Sequence, residues 1–207
     1  MSTVFHNILR AVASAMEVPV VVCLLLALAF AAFSIGWVLT ERLGERRHLS
    51  VSLPALLDRL RSGEEPIPDC IGHSGLLRRQ KDALLELTRH PGFTPAMRES
   101  LAANLLEQEQ SHYDRILKAT DLAAKLSPMF GLLGTLIPLG PGIIALGRGD
   151  TYTLSASLLT AFDTTIAGLI AAAVCLCIST VRRRWYSGYM ADLETLLDCV
   201  TEMEREA

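Results

Sequence analysis

The residue best placed to do chemistry is Asp163, the only charge in the 31 residues between Asp150 and Arg182. A carboxylate in a membrane-spanning helix costs about 2.5–3.5 kcal/mol on insertion scales, so it belongs against protein or water and away from lipid. Thr160 and Thr164 stand three residues before and one after it, while Thr165 lies ~200° round the helix. A second apolar stretch, the 22 uncharged residues between Lys125 and Arg148, is long enough to cross a bilayer at ~1.5 Å per residue. Two such segments, enclosing one acid, several threonines and many small residues, suggest a helical ion path.

Other chemistries find little support. The sequence has no Gly-x-x-x-x-Gly-Lys phosphate loop, no His-Glu-x-x-His and no Gly-x-Ser-x-Gly, so an enzyme is not expected. His6, His48, His73, His90 and His112 are scattered through charged or loop segments and read as solvated side chains. Of the five cysteines, Cys23, Cys175 and Cys177 fall in apolar runs, and none joins Cys70 or Cys199 in a Cys-x-x-Cys pair. Neither a metal site nor a disulfide framework is indicated, and no cofactor is called for. A net charge of −3 gives no reason to expect nucleic acid. Hydrophobic residues make up 51% of the chain and its mean hydropathy is +0.36, which point to membrane lipid as the surroundings.

The elements that must position these residues follow from charge-free runs and breakers. Residues 1–17 place Val4, Phe5, Ile8, Leu9 and Val12 at helical spacing and are expected to form an external interfacial helix. Residues 18–40 are a first transmembrane helix: the 23-residue run exceeds a signal-peptide core, Pro19 suits a first turn, and Trp37 is an interfacial anchor. Residues 122–147 and 151–181 are the second and third.

Of the 19 Lys and Arg residues, only Arg10 and Arg148 lie on one side of these spans. The positive-inside rule therefore places the N-terminus and the 147–150 loop outside, and residues 41–121 and 182–207 in the cytoplasm.

The cytoplasmic segment reads as helical. Ser52-Leu53-Pro54 opens a short helix ending near Ser62-Gly63, and residues 64–72, with Pro66 and Pro68, read as a loop. A helix over Leu76–Arg89 stops at His90-Pro91-Gly92. Thr94-Pro95 is an N-cap followed by proline at the first helical position. No glycine or proline follows before Lys125, so this helix runs on into the second span, ~75 Å in all for some fifty residues. Arg182-Arg183-Arg184-Trp185-Tyr186 marks the inner interface, and the tail continues the third span as one rod. The fold class is an all-α integral membrane protein with three transmembrane helices and long cytoplasmic extensions of the second and third.

Gly131, Gly134, Gly140, Gly142 and Gly147 in the second span let helices approach closely, and Pro128, Pro138 and Pro141 suggest kinks there. In the third span Ser157, Thr160, Ala161, Thr164, Ala167, Gly168, Ala171, Ala172 and Cys175 make a broad face of small residues. Packing alone could account for these residues. It does not account for a carboxylate.

Ser127-Pro128-Met129-Phe130-Gly131-Leu132-Leu133-Gly134-Thr135-Leu136 resembles the Ala-Pro-Leu-Leu-Gly-Leu-Leu-Gly-Thr-Val segment of the MotA/TolQ/ExbB proton-channel family. Residues 161–169 resemble that family's third-span Ala-Leu-Ile-Ala-Thr-Ala-Ile-Gly-Leu. The resemblance aligns Thr135 and Thr165 with the two pore threonines of ExbB and TolQ. Thr160 stands where ExbB-like members carry glutamate, and Asp163 where an apolar residue is usual.

The resemblance implies a homo-oligomer, a pentamer, around the single-span helices of an ExbD/TolR/MotB-like partner that supplies an essential aspartate. Protons, or sodium in some members, would pass along that interface to drive the partner. A threonine hydroxyl donates to a carboxylate and accepts from a carboxylic acid or a water. Thr135 and Thr165 are therefore expected to line the lumen, with Thr164 and Asp163 on the adjoining face. The competing expectation is a non-conducting membrane scaffold that recruits proteins through its cytoplasmic helices.

Overall fold

A computed structural model describes residues 2–44, 53–62, 66–90 and 92–206, with the backbone alone for 2–10, 13–14, 42–44, 204 and 206. These residues form six helices and no strand: α1 (Ser2–Gly44), α2 (Leu53–Ser62), α3 (Ile67–His73), α4 (Arg78–Thr88), α5 (Pro95–Gly147) and α6 (Thr151–Glu206). Three of them are long and apolar enough to cross a membrane: α1 over Ala15–Glu41, α5 over Pro95–Gly147, and α6 over Thr151–Met203. The basic run Arg46-Arg47-His48, the Ser52 cap, Gly63 and Pro91 lie outside the described residues, as do the apolar side chains expected on the face of residues 4–9.

The long helices begin and end for local reasons. At the start of α5 Thr94 Oγ1 accepts from the Met97 N–H at 3.4 Å and the Thr94 carbonyl from the Arg98 N–H at 3.0 Å. Pro95 sits in the first turn, where its missing N–H is no loss. At the other end the Asp150 N–H returns to the Ala145 carbonyl at 3.0 Å, a closure that requires the left-handed Gly149 at φ +77°. Asp150 then caps α6, accepting from the Thr153 N–H at 3.0 Å. Pro128, Pro138 and Pro141 are all held within one continuous α5.

Two sequence expectations change. The interfacial helix and the first span are one helix, because no breaker separates them and Pro19 lies well inside α1 instead of in a first turn. The stretch expected as a loop holds α3: Pro66 precedes the helix and Pro68 occupies its first turn, so both sit where an N–H is dispensable. Cys70 and Ile71 are thereby buried.

The chain divides into two compact units. Residues 38–117 and 181–207 form the first, a helical cluster built on leucine. Leu56 and Leu60 of α2, Ile71 of α3, Leu84 and Leu87 of α4, and Leu193, Leu196, Leu197 and Val200 of α6 make one core. Each such side chain contributes about 1.5–3 kcal/mol by leaving water. The buried Gln80 Nε2 donates to the Tyr189 carbonyl at 2.9 Å, fixing α4 to α6.

Residues 1–37 and 118–180 form the other unit. Its core is made of small side chains, with Ala31 of α1 meeting Ala171 and Cys175 of α6, and Ala123 and Ala124 of α5 alongside.

Candidate ion pathway

In the unit of residues 1–37 and 118–180, α5 and α6 run antiparallel and meet through glycine. A Cβ on Gly168 would lie 2.7 Å from the Ser127 carbonyl oxygen and 3.0 Å from Gly131 Cα. One on Gly131 would lie 3.3 Å from the Thr164 carbonyl oxygen and 3.5 Å from Thr165 Cα. Further along, Gly134 faces the Thr164 side chain and Gly142 faces Ser157. Hydrogen at Gly131 and Gly168 permits backbone-to-backbone contact, and at Gly134 and Gly142 it makes room for the Thr164 and Ser157 side chains.

The seam sets the rotation of both helices, and with it the direction of every candidate side chain. Thr164 turns into the contact, against Gly134, and its hydroxyl donates to the Ala161 carbonyl at 2.9 Å. Within one chain it thus packs in the α5–α6 contact, next to Asp163 in sequence. Thr165, half-buried, is at the level of Gly131 on the flank of the seam. Thr135, next to Gly134, is half-buried too and donates to the Leu132 carbonyl at 2.7 Å. The two threonines are thus brought to one stretch of the seam from opposite helices.

Asp163 is exposed, ~100° round α6 from Thr164. Its carboxylate meets no hydrogen-bond or ion-pair partner in its own chain among the described residues. Thr160, one turn before it, is exposed and donates to the Ala156 carbonyl at 3.1 Å. Pro128 lies in α5 within this seam, one residue beyond Ser127, whose buried hydroxyl donates to the Ala123 carbonyl at 2.6 Å.

Two polar contacts were not singled out from the sequence. Ser179 Oγ of α6 donates to Asp121 Oδ1 of α5. In the leucine-rich unit, Arg182 Nε donates to Glu41 Oε2 at 3.3 Å, with side chains only 5% and 10% exposed. Arg182 Nη2 is buried and has no hydrogen-bond partner among the described residues. Tyr186, buried beside this pair, has its phenol pushed well up, first by burial and then by the negative charge of Glu41. Both contacts join residues far apart in sequence. The only signal was that Glu41 and Arg182 each adjoin the end of a charge-free run. Among the described residues no three His, Cys, Asp or Glu side chains gather as they would around a metal.

Comparison with known proteins bears on the same segments. The chain is 30% identical over 122 residues to the Biopolymer transport protein exbB1 of Vibrio cholerae serotype O1, a match covering 55% of this chain and 52% of that protein. The chain therefore spans about half the length of the curated relative it matches. No solved structure matches it. The profile of the MotA/TolQ/ExbB proton channel family matches residues 78–195, more than half of the chain, including the α5–α6 seam with both threonines and Asp163. The protein is a membrane protein of three apolar spans, and it belongs to the MotA/TolQ/ExbB proton channel family.

Proposed function

We propose that this chain is a proton-channel subunit that couples the proton motive force to work by a partner protein, energising transmembrane transport. The observation that carries this reading is the glycine seam, which brings Thr135 and Thr165 to one stretch while leaving Asp163 exposed and unpartnered. A proton needs hydroxyls and a carboxyl that can exchange it with water, and these three residues supply them where the chain is otherwise apolar.

In this reading the subunit assembles as a homo-pentamer round a single-span ExbD/TolR/MotB-like partner, whose aspartate passes near the two threonines. It lies in the inner or plasma membrane with the N-terminus outside and the C-terminus in the cytoplasm, as the basic residues direct. A periplasmic reporter inserted at Gly149 is then active and one fused after Ala207 inactive.

The test is proton flux into vesicles holding the chain and a single-span partner with an aspartate near the start of its span. Thr135→Val and Thr165→Val keep the shape and remove the hydroxyl, so assembly survives and partner-dependent flux falls. Normal flux in both variants would refute the threonine assignment. No flux with the unaltered chain and its partner would favour the scaffold.

A further inference from the structure

Thr135 and Thr165 differ in what their hydroxyls have left to offer. Thr160, Thr164 and Thr180 of α6 each donate to a carbonyl three or four residues back, as helical threonines commonly do. Thr135 does the same in α5, donating to the Leu132 carbonyl at 2.7 Å. Its hydrogen is committed, so it presents the lone pairs of Oγ1. The Thr165 hydroxyl makes no hydrogen bond in its own chain among the described residues, although the residue is half-buried. It keeps a hydrogen to donate. An unpaired hydroxyl is unfavourable within a membrane span, so this one points to a partner outside the chain.

Both threonines stand on one side of the seam. Gly134 faces Thr164, and Thr135 and Thr165 each follow one residue later, ~100° on. Because α5 and α6 run antiparallel, a step forward from each member of a facing pair turns to the same flank. The steps also part the two along the axis by ~3 Å, Thr135 toward the Gly147 end of α5 and Thr165 toward the Arg182 end of α6. A single carboxyl lying along that flank can meet an acceptor with one oxygen and a donor with the other. Other charge is scarce at this level. Residues 18–40 of α1 and 126–147 of α5 carry none, and Asp163, the one charge in residues 151–181, lies ~200° round α6 from Thr165.

We propose that the two threonines read the charge of one carboxyl, the partner's aspartate, through unlike bonds, an inference that rests on the channel reading above. Thr165 donates to one carboxyl oxygen whether the group is ionised or neutral. Thr135 accepts from the other oxygen, and only when that oxygen carries a proton. In the loading step an O–H bond of hydronium breaks, the carboxyl O–H forms beside Thr135, and water leaves. The new O–H donates to Thr135 Oγ1. Release to a second water reverses these bonds and regenerates the carboxylate. Nothing else is consumed. The neutral acid is held by two bonds and the carboxylate by one.

Unlike bonds act in opposite senses on when the carboxyl holds its proton, and a purely structural role acts in neither. The bond from Thr165 favours the ionised form, and the bond to Thr135 the neutral form. Dicyclohexylcarbodiimide reacts with the protonated carboxyl, so its labelling rate against pH gives the midpoint. The labelled sample is this chain in vesicles with a single-span partner bearing an aspartate near the start of its span. Proton flux is measured in the same vesicles, and assembly by size-exclusion chromatography in detergent.

Thr165→Val should move the midpoint up and Thr135→Val should move it down, each by about one pH unit. Thr165→Ser and Thr135→Ser, which keep a hydroxyl, should return it toward the unaltered value. Any result other than opposite shifts in that order overturns the division of roles, as does a serine variant that behaves like the valine one. A midpoint that is the same for the partner alone overturns it too, because the carboxyl is then not seated here. Where a valine variant does not assemble, alanine takes its place; if neither assembles, the hydroxyl is structural and the proposal falls. A complex that conducts without the opposite shifts loses this inference and keeps the channel reading. A complex that does not conduct loses both.

Discussion

A Cβ on Gly134 would lie 2.7 Å from Thr164 Cβ and 2.8 Å from its Oγ1, closer than real side chains approach. The Thr164 Cβ is fixed by the backbone of α6, so it cannot swing aside. Gly134→Ala should therefore cost about 1–3 kcal/mol by overpacking, despite alanine's better helix propensity. Gly168→Ala meets a backbone carbonyl at 2.7 Å and should cost no less. Gly140→Ala, with nothing within 4 Å, is the control and should leave the chain as stable or slightly more so. Thermal unfolding of the three variants in one detergent checks the order.

The Glu41–Arg182 pair is almost wholly buried, so removing one partner strands the other. Glu41→Leu or Arg182→Met should each cost on the order of 3–5 kcal/mol, whereas the Glu41→Leu, Arg182→Met double variant should cost much less. A double-mutant cycle measured by chemical denaturation gives the coupling. Additive losses would show that the two side chains do not depend on each other.

Asp163→Asn should lower partner-dependent proton flux without abolishing it, if the exposed carboxylate tunes the path from its place beside the seam. Complete loss would make it a carrier in its own right. Unchanged flux would leave it with a packing role between copies.

Asp150 caps α6 by accepting first from the Thr153 hydroxyl and also from its N–H, and these bonds hold its carboxyl below the ordinary range. A folded value below the unfolded one means that the cap's contribution is present above the ordinary carboxylate range. It is lost as the pH falls through that range towards the folded value. Hydrogen exchange at residues 152–155 should therefore accelerate on acidification once its intrinsic pH dependence is removed. Asp150→Asn should flatten that response while retaining an acceptor for Thr153.

The long helices were legible because their signals are local. Charge-free runs set the three spans, and Thr94-Pro95 marks the first turn of α5 in sequence and structure alike. The α3 helix was not legible, because Pro66 and Pro68 were read as breakers when their position turns them into starters. At the site, sequence fixes the ~100° between Thr164 and Thr165 but not the rotation of α6 about its axis. That rotation depends on which face meets the glycines of α5, and it sends Thr164 into the contact. Asp121 and Ser179 are 58 residues apart, and no periodicity within either helix announces their meeting.

The glycine seam and the leucine-rich core respond to different perturbants. Burying leucine from water carries a large heat-capacity change, so that core weakens on cooling and yields to urea. Glycine packed against glycine in a lipid-like solvent gains no such term, since hydrocarbon competes as well as another helix does, and its cohesion comes from close contact of backbones. Urea should then release residues 53–106 from their core while the α5–α6 seam persists, and a harsher detergent should do the reverse. Acyl-chain length and membrane tension should likewise act on the α5–α6 seam and leave the leucine core unchanged.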